Sequence, residues 1–234
     1  PGHDYSHVYR VMESCRKIGN SVGANIDILL PAALLHDIIN VPKNHPDRSM
    51  ASQQAAEEAS GILRTIGYSL DEIEKIQVVI TEHSYSLGKK PSCIESAVMQ
   101  DADRLDALGA IGLMRTVTCG SRMGAKYYSS DEPIAEKRAL DDKKFTIDHL
   151  YVKLFRLGDQ FNTEAARQEG EQRIKFMKEF VTQVALEKLQ CLALRHAWRC
   201  FNAYVNMFWH DAKFPYCHAM SGSCLSQDSF RKDF

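Results

Sequence analysis

Ala33-Leu34-Leu35-His36-Asp37-Ile38-Ile39 is an apolar run that carries a histidine and an aspartate side by side near its end. A core segment has no hydrophobic use for that pair. Burying a carboxylate beside an imidazole is costly unless another charge compensates it. The same two groups, a neutral imidazole and a carboxylate, are good ligands for a transition-metal dication. Taken alone, the dipeptide is as well explained by a helix ending in a satisfied His-Asp pair, so the surrounding chain has to decide.

On the N-terminal side, Asp4 to Val22 reads as a helix, with Val8, Val11, Met12, Cys15 and Ile18 at helical spacing. His7 lies beside that stripe, one turn before Val11. Gly19 to Asn25 is a break. Asp27 is the expected cap of a second helix that tolerates Pro31 in its first turns, carries His36 and Asp37, and is over by Pro42. On the C-terminal side, 41–48 is a polar loop holding Lys43, His45 and Arg48. Ser49 to Ile66 is a strong helix closed by Gly67. Ser69 or Asp71 caps the next, with Ile73, Ile76, Val79 and Ile80 inward and His83 at its end.

Ser92 is expected to cap a long helix reaching about Cys119. Ile94, Ala97, Val98, Leu105 and Leu108 make one side apolar; Met99, Ala102, Ala110 and Met114 make another. A helix apolar nearly all round is central and buried. Yet this one carries Asp101, Asp103, Arg104 and Asp106, and charges in that position need partners. Gly120 to Pro133 reads as loop. Ile147 to Leu157 reads as a short amphipathic helix with His149 and Lys153 on one face. Thr163 caps a last helix to about Leu189. No strand pattern is sustained, so the fold class is all-α. Beyond Gln190 the composition shifts and helical periodicity fades. The domain organisation expected is therefore 1–189, followed by an appended C-terminal segment, 190–234.

The chain has 234 residues, with 29 Lys and Arg against 30 Asp and Glu, a formal net charge of −1. That balance argues against duplex nucleic acid or an anionic membrane as partner. No apolar run approaches the roughly 20 residues that span a bilayer. Seven cysteines, an odd and irregularly spaced set, fit free thiols in a reducing compartment, so a cytoplasmic location is expected. There is no Gly-x-Ser-x-Gly elbow, no Gly-rich P-loop and no Cys-x-x-Cys pair. Cys200, His210, Cys217, His218 and Cys224 match no zinc-ligand spacing. His210-Asp211 repeats the dipeptide without its apolar run.

The chemistry-bearing residues in order are His7, His36-Asp37, and Asp101 or Asp103, on three separate helices. Helices of a bundle can converge such side chains on one point. Two imidazoles and two carboxylates leave open positions on an octahedral ion such as Mn²⁺ or Fe²⁺. Those positions admit water and a phosphate oxygen, and the ion would acidify the one and polarise the other. Asp101 and Asp103 sit about 200° apart on a helix, which leaves open which of them is the ligand. Lys43, His45 and Arg48 are a solvated basic loop or the mouth of such a site. His83 is a helix-end histidine favoured by the dipole, or it faces the same cavity. Arg104 is a phosphate contact or a structural partner of Asp101 or Asp106. His149 and Lys153 are pocket wall or surface.

Several stretches now bear on one another: His3-Asp4-Tyr5-Ser6-His7-Val8-Tyr9-Arg10-Val11, Ala33 to Ile38, Lys43-Asn44-His45-Pro46, Glu82-His83-Ser84, Asp148-His149-Leu150 and Lys153-Leu154. Most distinctive is Gln100-Asp101-Ala102-Asp103-Arg104-Leu105-Asp106-Ala107-Leu108-Gly109-Ala110-Ile111-Gly112. Over residues 1 to about 187 the chain resembles the HD superfamily of metal-dependent phosphohydrolases, and within it a bacterial-type subfamily of small HD proteins. The resemblance implies an HD-domain helical bundle that hydrolyses nucleotides, as nucleoside or deoxynucleoside triphosphates, with release of pyrophosphate or phosphate. It implies one divalent ion, Mn²⁺ first, with Fe²⁺, Mg²⁺, Ni²⁺ or Co²⁺ as alternatives. The family's ligands fall on His7, His36, Asp37 and Asp103. Asp103 is chosen over Asp101 because across the superfamily the last ligand commonly follows Ala in an Ala-Asp pair. Asp101 is then left to orient a histidine.

The resemblance places His83 near the phosphate; His83 and Asp37 are the catalytic candidates, and the general base is either His83 or an acid near the ion. Lys43, His45, Arg48, Arg104 and Lys153 are the substrate-binding set. Two alternatives stand beside this reading. One is a hydrolase of another phosphoester, such as a nucleoside monophosphate or a signalling nucleotide. The other is a non-catalytic module that binds metal or nucleotide, against which the intact ligand set argues. A nucleotide substrate is the partner expected, with no nucleic acid and no membrane; the sequence carries no sign of oligomeric state.

Overall fold

The computed structural model describes residues 5–39, 41, 49–84 and 87–211. Within them run α1 (Tyr5–Val22), α2 (Ile26–Leu35), α3 (Ala51–Thr65), α4 (Leu70–Glu82), α5 (Ile94–Asp106), α6 (Gly109–Arg122) and α7 (Glu164–Asp211). A π-turn (Leu150–Leu154) and a 3₁₀ turn (Phe155–Gln160) precede α7. The described residues contain no strand, and Lys126 and Phe145 form an isolated parallel bridge. The fold is all-α. The chain divides into two compact units, Pro1–Ala185 and Leu186–Phe234.

The first unit is organised around α5, which packs against α1, α2, α4 and α6. The reason is its composition: Val98, Met99, Ala102 and Leu105 are buried in the core. Val11, Cys15 and Ile18 of α1, Leu29, Ala32 and Ala33 of α2, and Ile76, Val79 and Ile80 of α4 close around them. α3 and α4 pair as a helical hairpin across Gly67, whose φ of +92° suits a residue without Cβ. α4 starts with a full capping box between Ser69 and Glu72.

Five local expectations need correction. α2 is capped by Asn25 rather than Asp27; the Asn25 side chain accepts from the Asp27 backbone N–H. Cys93, not Ser92, caps α5. The long helix expected to reach Cys119 is two helices with a corner at Ala107–Leu108. Gly109 enters α6 at a φ of +74°, and a Cβ on Gly112 would lie 2.2 Å from the Ala107 carbonyl oxygen. Only α5 is central. On α6, Met114 is 68% exposed, and Ile94 at the start of α5 is 41% exposed. The segment 147–157 is a π-turn and a 3₁₀ turn rather than an amphipathic α-helix. Finally, α7 continues to Asp211, so residues 191–211 are helical where the periodicity of the sequence fades.

Candidate metal centre and its cleft

α1 buries His7 on the same face as Val11 and Cys15. His36 is the C-cap of α2 and Asp37 the next residue, so the end of that helix delivers both. His83 is the C-cap of α4. These elements bring the four groups together around α5. His7 Nε2 lies 3.3 Å from His36 Nε2, 3.6 Å from Asp37 Oδ2 and 3.7 Å from Asp103 Oδ1. His36 Nε2 is also 3.6 Å from Asp37 Oδ2, and Asp37 Oδ1 faces His83 Nε2 at 3.9 Å. His7, His36 and Asp37 each offer one ligand atom, and these atoms lie within 4.8 Å of one another. Adjacent ligands about 2.1 Å from an octahedral ion sit about 3 Å apart, so this spacing is close to that of a coordination shell.

The hydrogen bonds fix which nitrogens can coordinate. His7 Nδ1 meets Asp106 Oδ2 at 2.7 Å, and a carboxylate only accepts, so Nδ1 carries the proton. His36 Nδ1 meets the Ala33 carbonyl at 2.8 Å, and His83 Nδ1 the Ile80 carbonyl at 2.6 Å. All three rings therefore donate from Nδ1. In the neutral rings each Nε2 presents a lone pair, and those of His7 and His36 face each other. Two lone pairs 3.3 Å apart, beside two carboxylates, call for a positive charge between them. A divalent ion fits that demand. In its absence a proton serves: burial works against charge on His7, but Asp106, Asp37 and Asp103 outweigh it and push the pKa up to about 9. Burial, then the neighbouring His83, moves His36 the other way.

Asp106 was visible in the sequence as a charge needing partners, but not as the partner of His7. It is 4% exposed and accepts from His7, from Arg10 Nε and from Arg115. Burial would raise its pKa, but His7 and Arg10, followed by Arg115, hold it well below the usual carboxylate range. A carboxylate fixed in this way orients the His7 ring from behind. Arg10 is 96 residues away in the chain, so no local spacing announced the pair. The hint available was that charges in a buried helix need partners.

Asp101 and Asp103 divide as the helical angle requires. Asp101 is fully buried and turned away from His7 towards the start of α7. Its carboxylate accepts from the Asn162 and Thr163 backbone N–H groups at 2.8 Å each, and from the Thr163 hydroxyl. It therefore does not orient a histidine. Arg104 lies 3.6 Å from Asp101 and donates to the Gln160 carbonyl and to Gln100, while still reaching the cleft.

That cleft, about 450 Å³, opens over the cluster. Asp37, His83 and Asp103 line one part; Arg104 and Arg115 flank it; Asp142, His149 and Lys153 come from the segment before α7. Arg115 and Asp142 also went unnoticed in the sequence. Lys43, His45 and Arg48 lie outside the described residues. No helix among the described residues is long and apolar enough to cross a membrane.

The chain is similar to known proteins in both sequence and fold. The HD domain family matches residues 4–108. The uncharacterized protein YpgQ of Bacillus subtilis is 34% identical over 187 residues, covering 78% of this chain and 83% of its own. The crystal structure of B. subtilis YpgQ in complex with ADP superposes with a TM-score of 0.63 at 31% identity, over 80% of this chain and 90% of that one. An HD-superfamily hydrolase from Bacillus thuringiensis gives 0.61 at 32% identity, over 79% and 86%. With its His-Asp pair at the end of α2 and a sequence match that spans most of both chains, the chain belongs to the HD superfamily of metal-dependent phosphohydrolases.

Proposed function

We propose that this hydrolase acts on nucleotides, as nucleoside or deoxynucleoside triphosphates, releasing pyrophosphate or phosphate. The metal is one divalent ion, Mn²⁺ by preference, held by His7, His36, Asp37 and Asp103. The observation that carries the metal site is the pair of opposed Nε2 atoms 3.3 Å apart, each ring locked by a donated Nδ1–H. Neutral imidazoles with carboxylates suit Mn²⁺ or Fe²⁺ better than a soft, thiolate-preferring ion. The nucleotide is supported by the ADP complex of YpgQ, a relative at 31% identity. Free thiols at Cys15, Cys93 and Cys119 fit a reducing, cytoplasmic setting.

When bound, the ion would acidify a water and draw charge from a phosphate oxygen. The chain's own residues do the rest. Asp106 keeps His7 in its coordinating tautomer, and the Ala33 carbonyl does the same for His36. Asp37, through Oδ1, faces His83, and this pair takes the proton of the attacking water. Arg104 and Lys153, which line the cleft, hold the phosphate chain with Lys43, His45 and Arg48, which follow α2 in the sequence, and offset the charge that develops on it. The test is product analysis on a nucleotide panel, comparing chelated protein with protein reloaded with Mn²⁺. Reloaded protein is expected to release pyrophosphate or phosphate, and chelated protein to be inert. Fully loaded protein that turns over no nucleotide would sink the assignment.

A further inference from the structure

We propose that His149, oriented by Asp142, is a second catalytic residue: the proton donor to the leaving oxygen. His149 and Asp142 line the same cleft as Asp37, His83 and Asp103, but come from a different part of the chain. His149 Nδ1 meets Asp142 Oδ2 at 2.9 Å. Since the carboxylate can only accept, Nδ1 carries the proton of that bond, and Nε2 remains as the nitrogen a ligand in the cleft can meet. An imidazole held by a carboxylate on one nitrogen and presented to substrate with the other is the arrangement of an acid-base histidine.

An exposed His-Asp contact is often an incidental surface pair worth little. Three observations set this one apart. First, the backbones on both sides are fixed by a buried neighbour. Asp148, fully buried, takes both Arg138 guanidinium nitrogens, at 2.5 and 2.7 Å, and the Asp141 backbone N–H at 2.8 Å. The loop bearing Asp142 is thereby tied to the segment bearing His149. Second, the Asp142 turn is itself closed: the Asp141 side chain accepts from the Lys143 and Lys144 backbone N–H groups. Third, the π-turn begins at the very next residue, Leu150. Such turns are rare and frequently lie at functional sites.

The step rests on the nucleotide reading above. The oxygen of water bonds to phosphorus as the bond from phosphorus to the bridging oxygen breaks. Both electrons of the broken bond stay with that oxygen, which takes the proton from His149 Nε2. The proton of the attacking water goes to the Asp37–His83 pair, and both sites re-equilibrate with solvent. Asp142 fixes the ring through its bond to Nδ1.

The test compares wild type, His149→Gln and Asp142→Asn as full-length, Mn²⁺-loaded proteins on a nucleoside triphosphate. The expected result for His149→Gln is a fall in kcat of roughly 10²- to 10⁴-fold, the range for a general acid. KM should stay within a few-fold and metal content unchanged, with a smaller fall for Asp142→Asn. An unchanged kcat, or a loss confined to KM, overturns the proposal. A second arm uses p-nitrophenyl thymidine 5′-monophosphate or p-nitrophenyl phosphate, whose leaving phenolate needs no proton. His149→Gln should lose far less on whichever ester wild type cleaves, and an equal loss overturns the role. If wild type cleaves neither ester, the split between kcat and KM decides. If loaded wild type cleaves p-nitrophenyl phosphate but no nucleotide, it is the nucleotide reading that fails. The acid role is then judged by comparing that ester with an alkyl phosphate.

Discussion

At the residue scale, Asp103 and Asp101 make the sharpest contrast. One lies 3.7 Å from His7 Nε2, and the other receives the start of α7. Asp103→Asn is expected to lose bound Mn²⁺ and nearly all activity with little change in Tm. Asp101→Asn is expected to keep its metal and lose stability, because buried donors are left poorly matched. Metal analysis beside thermal melts separates the two; metal loss in Asp101→Asn would reverse the assignment. Asp106→Asn should weaken metal binding by about 10- to 100-fold, the usual cost of removing a partner behind a ligating histidine. The histidine also predicts a pH response. In metal-free protein the folded pKa of His7, about 9, lies above its unfolded value. The stability it contributes is fully present below pH about 6.5 and is lost as pH rises through about 9. Metal competes for the same nitrogen, so the gain in Tm on adding Mn²⁺ should grow with pH across that window. A gain that shrinks as pH rises would contradict the competition.

At the element scale, the sequence was most legible where a single helix obeyed one period. α1, α3 and α4 lie close to their expected spans, and the Ser69–Glu72 cap is written in the sequence. It misled where two helices share one apolar pattern. From Ile94 to Cys119 the hydrophobic residues run on without a gap, and periodicity cannot see the corner at Ala107–Leu108. The signal was Gly109 and Gly112, which fall inside the span read as one helix. The structure gives each a steric reason, and that reason makes a prediction. Gly112→Ala places a Cβ against the Ala107 carbonyl and should cost roughly 1–3 kcal/mol, seen as a lower denaturation midpoint. Gly61→Ala meets nothing within 4 Å in the middle of α3 and should be stabilising or neutral. The π-turn at Leu150–Leu154 was equally hidden, because its apolar spacing resembles one α-helical turn.

At the scale of the whole molecule, the site is an assembly of helix ends. His36, Asp37 and His83 follow the last turns of α2 and α4, while His7 and Asp103 come from the flanks of α1 and α5. Sequence pattern placed these elements in order, but it could not find Arg10 and Arg115 behind Asp106, since only packing brings them there. The same packing says how much chain the chemistry needs. α7 contributes Ala166, Ile174, Met177 and Val181 to the core, and the first compact unit closes at Ala185. The groups in the cleft all precede Phe161. Helical structure persists to Asp211, so the fading periodicity after Gln190 does not mark the end of helix. Among the residues whose burial is described, the last that α7 gives to the core is Val181. A chain ending at Gln190 should therefore keep kcat/KM within about threefold of the full chain, as expected when a core folds without a neighbouring unit. A loss of 100-fold or more, with the truncated protein still folded by circular dichroism, would mean that the segment 191–234 takes part in the reaction.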